Sequence, residues 1–169
     1  MNKIKTQQII DLPRFLDARG NLSFAEQFKH VPFKIERIYW IYDVPGGEAR
    51  GGHAYKENQE LIIALSGSFD VVLDDGKERK IYSLNRSYYG LYVPKGIWRE
   101  MINFSTNSLA LVLSSTRYQE SDYIRDYKQY KNVVQPTLAM YQALNGSLSI
   151  EVLDYLRKNG FAEISDVQL

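Results

Sequence analysis

Between residues 20 and 115 the chain runs as short β-rich stretches broken by Gly, Asn or Asp turns at intervals of about ten residues. That rhythm belongs to a sandwich or barrel, and nothing in it has the length and period of a long helix. The predicted strands are Leu22–Phe28, Ile35–Tyr42, Gly52–Lys56, Glu60–Leu65, Ser68–Leu73, Arg79–Leu84, Gly90–Val93, Trp98–Phe104 and Leu109–Ser114. The clearest hairpin joins Phe69–Leu73 to Lys77–Ile81 through Asp74-Asp75-Gly76, because Asp-Gly supplies the positive φ of a tight turn. With two-residue alternation, Arg37 shares a face with Ile35, Tyr39 and Ile41. The high count of 13 Tyr, 7 Phe and 2 Trp suits strands.

After Tyr118 the period changes. Pro136–Leu144 and Ser147–Lys158 each read as a helix stopped by Asn-Gly, the second with Ile150, Leu153 and Leu156 at helical spacing and Ser147 as its cap. These 169 residues therefore divide into a β domain over 1–130 and a helical extension of the same domain over 131–169, packed on the β core or on a partner subunit. A chain of this length buries enough surface to fold without a disulfide or metal.

Composition excludes several classes of function. There is no cysteine, so thiol nucleophiles, zinc ribbons and iron–sulfur clusters are absent. His30 and His53 are the two imidazoles, which rules out a three-histidine metal site. The net charge of +1, with both signs spread along the chain, offers nothing to nucleic acid or an anionic membrane. No stretch approaches a membrane span, and MNKIKTQQIIDL lacks the apolar core of a signal peptide, so a cytoplasmic protein is expected.

Two glycine-anchored segments carry the chemistry. Gly47, His53, Tyr55, Glu60 and Gly67 form the first, and Pro94, Gly96, Arg99 and Asn103 the second. The paired spacings resemble those of the cupin superfamily, which implies an all-β cupin jelly-roll barrel or sandwich. In metal cupins such positions hold imidazoles and a carboxylate around a transition metal. Arginine stays protonated and cannot ligate, so the cation of Arg99 takes the place of an ion and no metal is expected. Taken alone, His53 reads as a framework residue, Tyr55 as a wall, and Glu60 as a surface charge or the partner of Arg99. His30, in Lys29-His-Val-Pro32, reads as a solvated loop residue, and Gly47, Gly67 and Gly96 as turn formers.

A longer ordered series narrows the resemblance. Asp17-Ala-Arg-Gly20, Pro32-Phe33, Arg37-Ile-Tyr39, Arg50-Gly-Gly-His53-Ala-Tyr-Lys56, Leu73-Asp-Asp-Gly76, Gly90-Leu-Tyr-Val93, Trp98-Arg-Glu-Met101 and Ser121-Asp-Tyr-Ile-Arg125 are similar to the WxcM-like, FdtA-type sugar ketoisomerases. The resemblance implies a metal-free, cofactor-free jelly-roll homodimer that moves the ketone of dTDP-4-keto-6-deoxyglucose from C4 to C3, in the synthesis of 3-amino-3,6-dideoxy sugars for surface polysaccharide. It implies His53 as base, Arg99 as oxyanion holder and Tyr55 or Tyr39 as proton carriers. Arg19, Arg37 and Arg50 suit a diphosphate, and Trp40 or another aromatic suits thymine. Lys56 and Glu60 complete the expected substrate-binding set.

This family usually carries His-Ala-His where the present chain has His53-Ala-Tyr55. Three readings stay open at that position: His53 suffices as base with Tyr55 as acid, the reaction differs, or catalysis is lost. The rival functions are a 3,5-epimerase of the same nucleotide sugar and a non-catalytic nucleotide-sugar-binding cupin.

Overall fold

A computed structural model describes residues 8–134. Two five-stranded antiparallel sheets face each other. The first has the order β1 (Gln8–Asp11), β9 (Tyr89–Val93), β6 (Glu60–Ser66), β11 (Leu109–Ser114), β4 (Arg37–Ile41). In the second the order is β12 (Tyr123–Ile124), β5 (Arg50–Tyr55), β10 (Trp98–Ile102), β7 (Phe69–Asp74), β8 (Arg79–Leu84). A separate hairpin pairs β2 (Arg14–Asp17) with β3 (Gly20–Ser23), and α1 (Tyr127–Val134) closes the described chain. The expected sandwich is thus present. No helix among the described residues is long and apolar enough to cross a membrane.

Apolar residues at alternate positions fill the space between the sheets: Ile62 and Ala64 from β6, Val71 and Leu73 from β7, Met101 from β10 and Val112 from β11. β6 is buried on both faces from Glu60 to Ala64, in keeping with its Leu-Ile-Ile-Ala run, and emerges at Leu65. Its outward residues Leu61 and Ile63 meet Val31, Phe33 and Leu113 beneath the segment that precedes β4. On the outside of the second sheet, Tyr130 and Val134 of α1 pack against Ala54, Trp98 and Ile124.

Several boundaries differ from the sequence expectation. The predicted strand Leu22–Phe28 ends at Ser23; Phe24–Glu26 lie outside any strand, and farther on Phe28 adopts a positive φ of 61° in a turn. Ile35 lies before β4 and packs in the outer cluster, so the alternating face begins at Arg37. Lys77 and Glu78 belong to a four-residue turn, held by their amides donating to Asp75 Oδ1, and β8 starts at Arg79. The three anchoring glycines Gly47, Gly67 and Gly96 all have positive φ. β1, β2, β12 and α1 have no counterpart among the predicted elements. α1 crosses the expected boundary at residue 130 and joins the β core. The two predicted helices, Pro136–Leu144 and Ser147–Lys158, lie outside the described residues.

Candidate active site

The mouth of the sandwich opens where β4, an edge of one sheet, faces β5 and β12 of the other. A cleft of about 380 Å3 there is lined by Arg37, Tyr39 and Ile41 from β4, Arg50, Gly51, His53 and Tyr55 from β5, and Arg99 from β10. Tyr118, Tyr123 and Arg125 complete the wall. Strand alternation explains the placement. His53 and Tyr55 point inward while Ala54 between them packs outward under α1. Arg99 and His53 are direct cross-strand neighbours.

β5 reaches β10 closely because Gly51 and Gly52 take φ of 92° and 68°. A Cβ on Gly51 would lie 2.9 Å from the Arg99 carbonyl oxygen. The register shift between Arg99 and Glu100 sits opposite these glycines and aims the Arg99 side chain into the cleft.

Beneath the cleft lies a buried ion pair. Arg99 Nε donates to Glu60 Oε2 at 2.6 Å, and Arg99 Nη2 donates to the Tyr39 hydroxyl at 2.7 Å. Tyr39 in turn donates to Glu60 Oε1 at 2.8 Å. Glu60 and Arg99 are 1% and 2% exposed, so this triad is fixed by desolvated, mutually satisfied charges. Burial works against the charged form of Arg99, and the Glu60 carboxylate overrides it, holding Arg99 above its ordinary value. Burial above all raises Tyr39, which stays neutral.

His53 differs from all of these. It is 7% exposed, and neither ring nitrogen has a partner in hydrogen-bond geometry. Burial, and after it the charge of Arg99, pushes its pKa down to about 3, against an opposing contribution from the Gly51 backbone. The site therefore holds a neutral imidazole with its proton-accepting nitrogen free. Edge-to-face contacts with Tyr55 and Tyr123, both at 4.9 Å between centroids, fix the ring.

Four arginines line the cleft, and two are balanced. Glu60 pairs with Arg99, and Glu120 takes two hydrogen bonds from Arg125, at 2.7 and 3.0 Å. Arg37 and Arg50 have no carboxylate partner among the described residues. Arg37 lies over the rings of Tyr39 and Tyr118, and its Nε is buried without a hydrogen bond. Two unbalanced guanidiniums suit a dianion.

Of the residues singled out in the sequence, the structure brings His53, Tyr55, Arg99, Tyr39, Arg37 and Arg50 to the cleft, with Glu60 below it. Three others lie elsewhere. Trp40 is exposed on the opposite face of β4, since adjacent residues of a strand face opposite ways. Arg19 sits at the tip of the β2–β3 hairpin, bonded to Asp17. Lys56 reaches outward to the Ser121 carbonyl at 2.5 Å. Sequence reasoning does not reach Tyr118, Tyr123 and Arg125 as site residues, although the last two fall within the 121–125 motif. Their place depends on β12 pairing with β5 over 68 residues of chain, as Tyr123 does with Tyr55.

Known proteins share this fold. The profile of the FdtA family, described as WxcM-like, C-terminal, matches residues 5–135. A TDP-4-oxo-6-deoxy-alpha-D-glucose-3,4-oxoisomerase from Aneurinibacillus thermoaerophilus is 39% identical over 127 residues, 75% of this chain and 91% of the relative. The crystal structure of a 3,4-ketoisomerase from Helicobacter canadensis superposes with TM-score 0.75 at 43% identity, covering 76% of this chain and 97% of that one. A sugar 3,4-ketoisomerase from Thermoanaerobacterium thermosaccharolyticum, solved with TDP, gives TM-score 0.75 at 36% identity over 76% and 94% of the two chains. A dTDP-4-dehydrorhamnose 3,5-epimerase from Bacillus anthracis shares the fold alone, with TM-score 0.64 at 18% identity over 73% and 79%. Residue spacing, fold and relatives all converge, and the chain belongs to the WxcM-like, C-terminal family of FdtA-type proteins.

Proposed function

We propose that this chain is an isomerase that moves the ketone of a dTDP-4-keto-6-deoxyhexose from C4 to C3. The observation that carries the reading is a buried, neutral His53 with both ring nitrogens unpartnered, set in a cleft beside two uncompensated arginines. Relatives bearing the 3,4-ketoisomerase name support it.

Moving a carbonyl between adjacent carbons requires removal of the C3 proton, an enediolate, and return of a proton to C4. His53 is the base. Its low affinity for protons keeps it neutral in the free protein, and a bound diphosphate offsets the part of the depression that Arg99 and Arg125 cause. Arg37 and Arg50 hold the diphosphate. Arg99 contributes fixed positive charge beside His53 rather than a mobile clamp, because Glu60 and Tyr39 occupy its Nε and Nη2. Tyr118, exposed at the cleft wall, takes the thymine-stacking role that Trp40 is placed too far round the strand to fill.

The functional unit in this reading is a homodimer. β2 and β3 pair with neither sheet, and Phe15, Leu16 and Leu22 stand exposed on them. Ile38 and Trp40 are likewise exposed, on the outer face of β4.

Incubation of the purified protein with dTDP-4-keto-6-deoxyglucose in heavy water tests the reaction. A 3-keto product carrying solvent deuterium is expected, and His53→Asn abolishes it. Absence of both product and C3 exchange in the wild type would sink the isomerase reading, whereas exchange at C5 with the ketone still at C4 would make the protein an epimerase.

A further inference from the structure

The isomerase reading leaves one step without an obvious agent. His53 can take the C3 proton, but C4 must receive one, and the cleft holds no second imidazole. The second inward position of β5 is Tyr55, 5% exposed. Its hydroxyl donates to the hydroxyl of Tyr123 at 3.2 Å, and the two rings stand edge-to-face at 4.6 Å. Tyr123 is the direct cross-strand neighbour of Tyr55 and is less buried than it. On its outer side the Arg125 guanidinium lies 4.2 Å above its ring.

Resting on the isomerase reading, we propose that Tyr55 is the acid that protonates C4 and that Tyr123 is the positioning residue that aims and recharges it, the two phenols forming a proton path from the reacting carbon to the cleft wall. The geometry gives each member a distinct task. His53, Tyr55 and Tyr123 form a closed triangle of rings, so Tyr55 cannot rotate away without losing contacts to both neighbours. Burial above all raises Tyr55, and the Glu60 charge acts the same way, so its proton is retained until a carbanion demands it. The segment bearing Tyr123 is tied down independently: Asp122 accepts from the amides of Glu57 and Asn58 at 2.8 and 3.2 Å.

The step balances without any co-reactant. His53 removes the C3 hydrogen as a proton, the C3–H electron pair becomes the C3–C4 double bond, and the carbonyl pair moves onto O4. The hydroxyl proton on O3 passes to O4. As the O3 lone pair forms the new C3 carbonyl, the double-bond pair takes the Tyr55 proton at C4. C3 is oxidised and C4 reduced within one molecule. Tyr55 regains a proton from Tyr123, which is recharged from solvent, and His53 returns its proton to solvent.

The test uses the full chain, with substrate deuterated at C3 in ordinary water. In the wild type the product carries protium at C4, because the donor is not the group that took the deuteron. Tyr123→Phe keeps the ring and loses the hydroxyl: kcat falls about tenfold, KM stays within about twofold, and the melting temperature is held. Tyr55→Phe lowers kcat about a hundredfold, and its residual product keeps deuterium at C4, returned by His53. Tyr55→His restores an imidazole, and in that background Tyr123→Phe has no further effect on kcat. Full transfer of deuterium from C3 to C4 by the wild type, or wild-type kcat in Tyr123→Phe, overturns the relay while leaving the isomerase intact. A wild type that does not turn over removes the isomerase reading and the relay with it.

Discussion

An imidazole buried in a strand without a hydrogen-bond partner is uncommon, since desolvating its nitrogens is costly unless something requires them free. His53 is such a group, and its depressed pKa of about 3 has a kinetic consequence. As a base it must be neutral, and a lowered pKa keeps it so at acid pH. The profile of kcat/KM, which reports the free enzyme, should therefore show no acid limb near the ordinary histidine value of 6.5 and stay level from pH 7 to about 5. A limb centred between pH 6 and 7 would contradict that environment. The Glu60–Arg99 pair makes a different prediction. Removing one member strands the other in a site that is 1% to 2% exposed, so Glu60→Ala should cost about 3–5 kcal/mol in denaturant unfolding. The resemblance of the paired glycine-anchored spacings to those of the cupins is what marks His53, Tyr55, Glu60 and Arg99 as candidates, since taken alone each has an ordinary structural role. The sequence also contains the reason Trp40 lies elsewhere, for a residue adjacent to Tyr39 in a strand must face the other way.

At the scale of elements, β5 is shaped by its approach to β10. Gly51 has a φ of 92° and no room for a Cβ beside the Arg99 carbonyl, so Gly51→Ala combines backbone strain with a clash. We expect it to cost about 1–3 kcal/mol and to shift Arg99, lowering activity beyond the loss of stability. Activity unchanged relative to wild type at full folding would show that the register shift does not aim Arg99. Strands with turn signals at both ends are legible in sequence: β8 and β11 have the predicted limits. β1 and β12 are not, because four- and two-residue strands are defined by partners in β9 and β5 rather than by a pattern of their own. The β2–β3 hairpin has every residue exposed and so shows no alternation to detect. α1 does carry a local signal. Asp126 accepts from the Gln129 amide as an N-cap, and Tyr130 and Val134 are four residues apart on its buried side.

For the whole molecule, His53 couples folding to pH. Its unfolded value is 6.5 and its folded value about 3, so below pH 6.5 the unfolded chain binds a proton that the folded one does not. The stability this group contributes is present above 6.5 and is lost as pH falls, at up to about 1.4 kcal/mol per pH unit. Asp17 and Glu120, held near 2 mainly by hydrogen bonds from Arg19 and Arg125 respectively, act only in the lower carboxylate range. Unfolding by denaturant between pH 6.5 and 5 should therefore steepen with acidity in the wild type and flatten in His53→Gln; equal slopes would refute the coupling. The proposed dimer has its own measurement. Light scattering on the wild type should give twice the 19.6 kDa of the chain, and Leu16→Asp with Trp40→Asp should return it toward the single-chain mass. A monomeric wild type would remove the dimer from the reading. The sequence alone determined the all-β class, the limits of β8 and β11 and the shared face of Arg37, Tyr39 and Ile41, because periodicity and turn chemistry act over a few residues; His53, Tyr55, Glu60 and Arg99 became candidates through the resemblance in motif spacing. Only the tertiary structure decided that β12 comes beside β5, that Tyr123 meets Tyr55, and that Arg19 and Lys56 stand outside the cleft, because strand pairing between distant segments is set by the packing of the whole core.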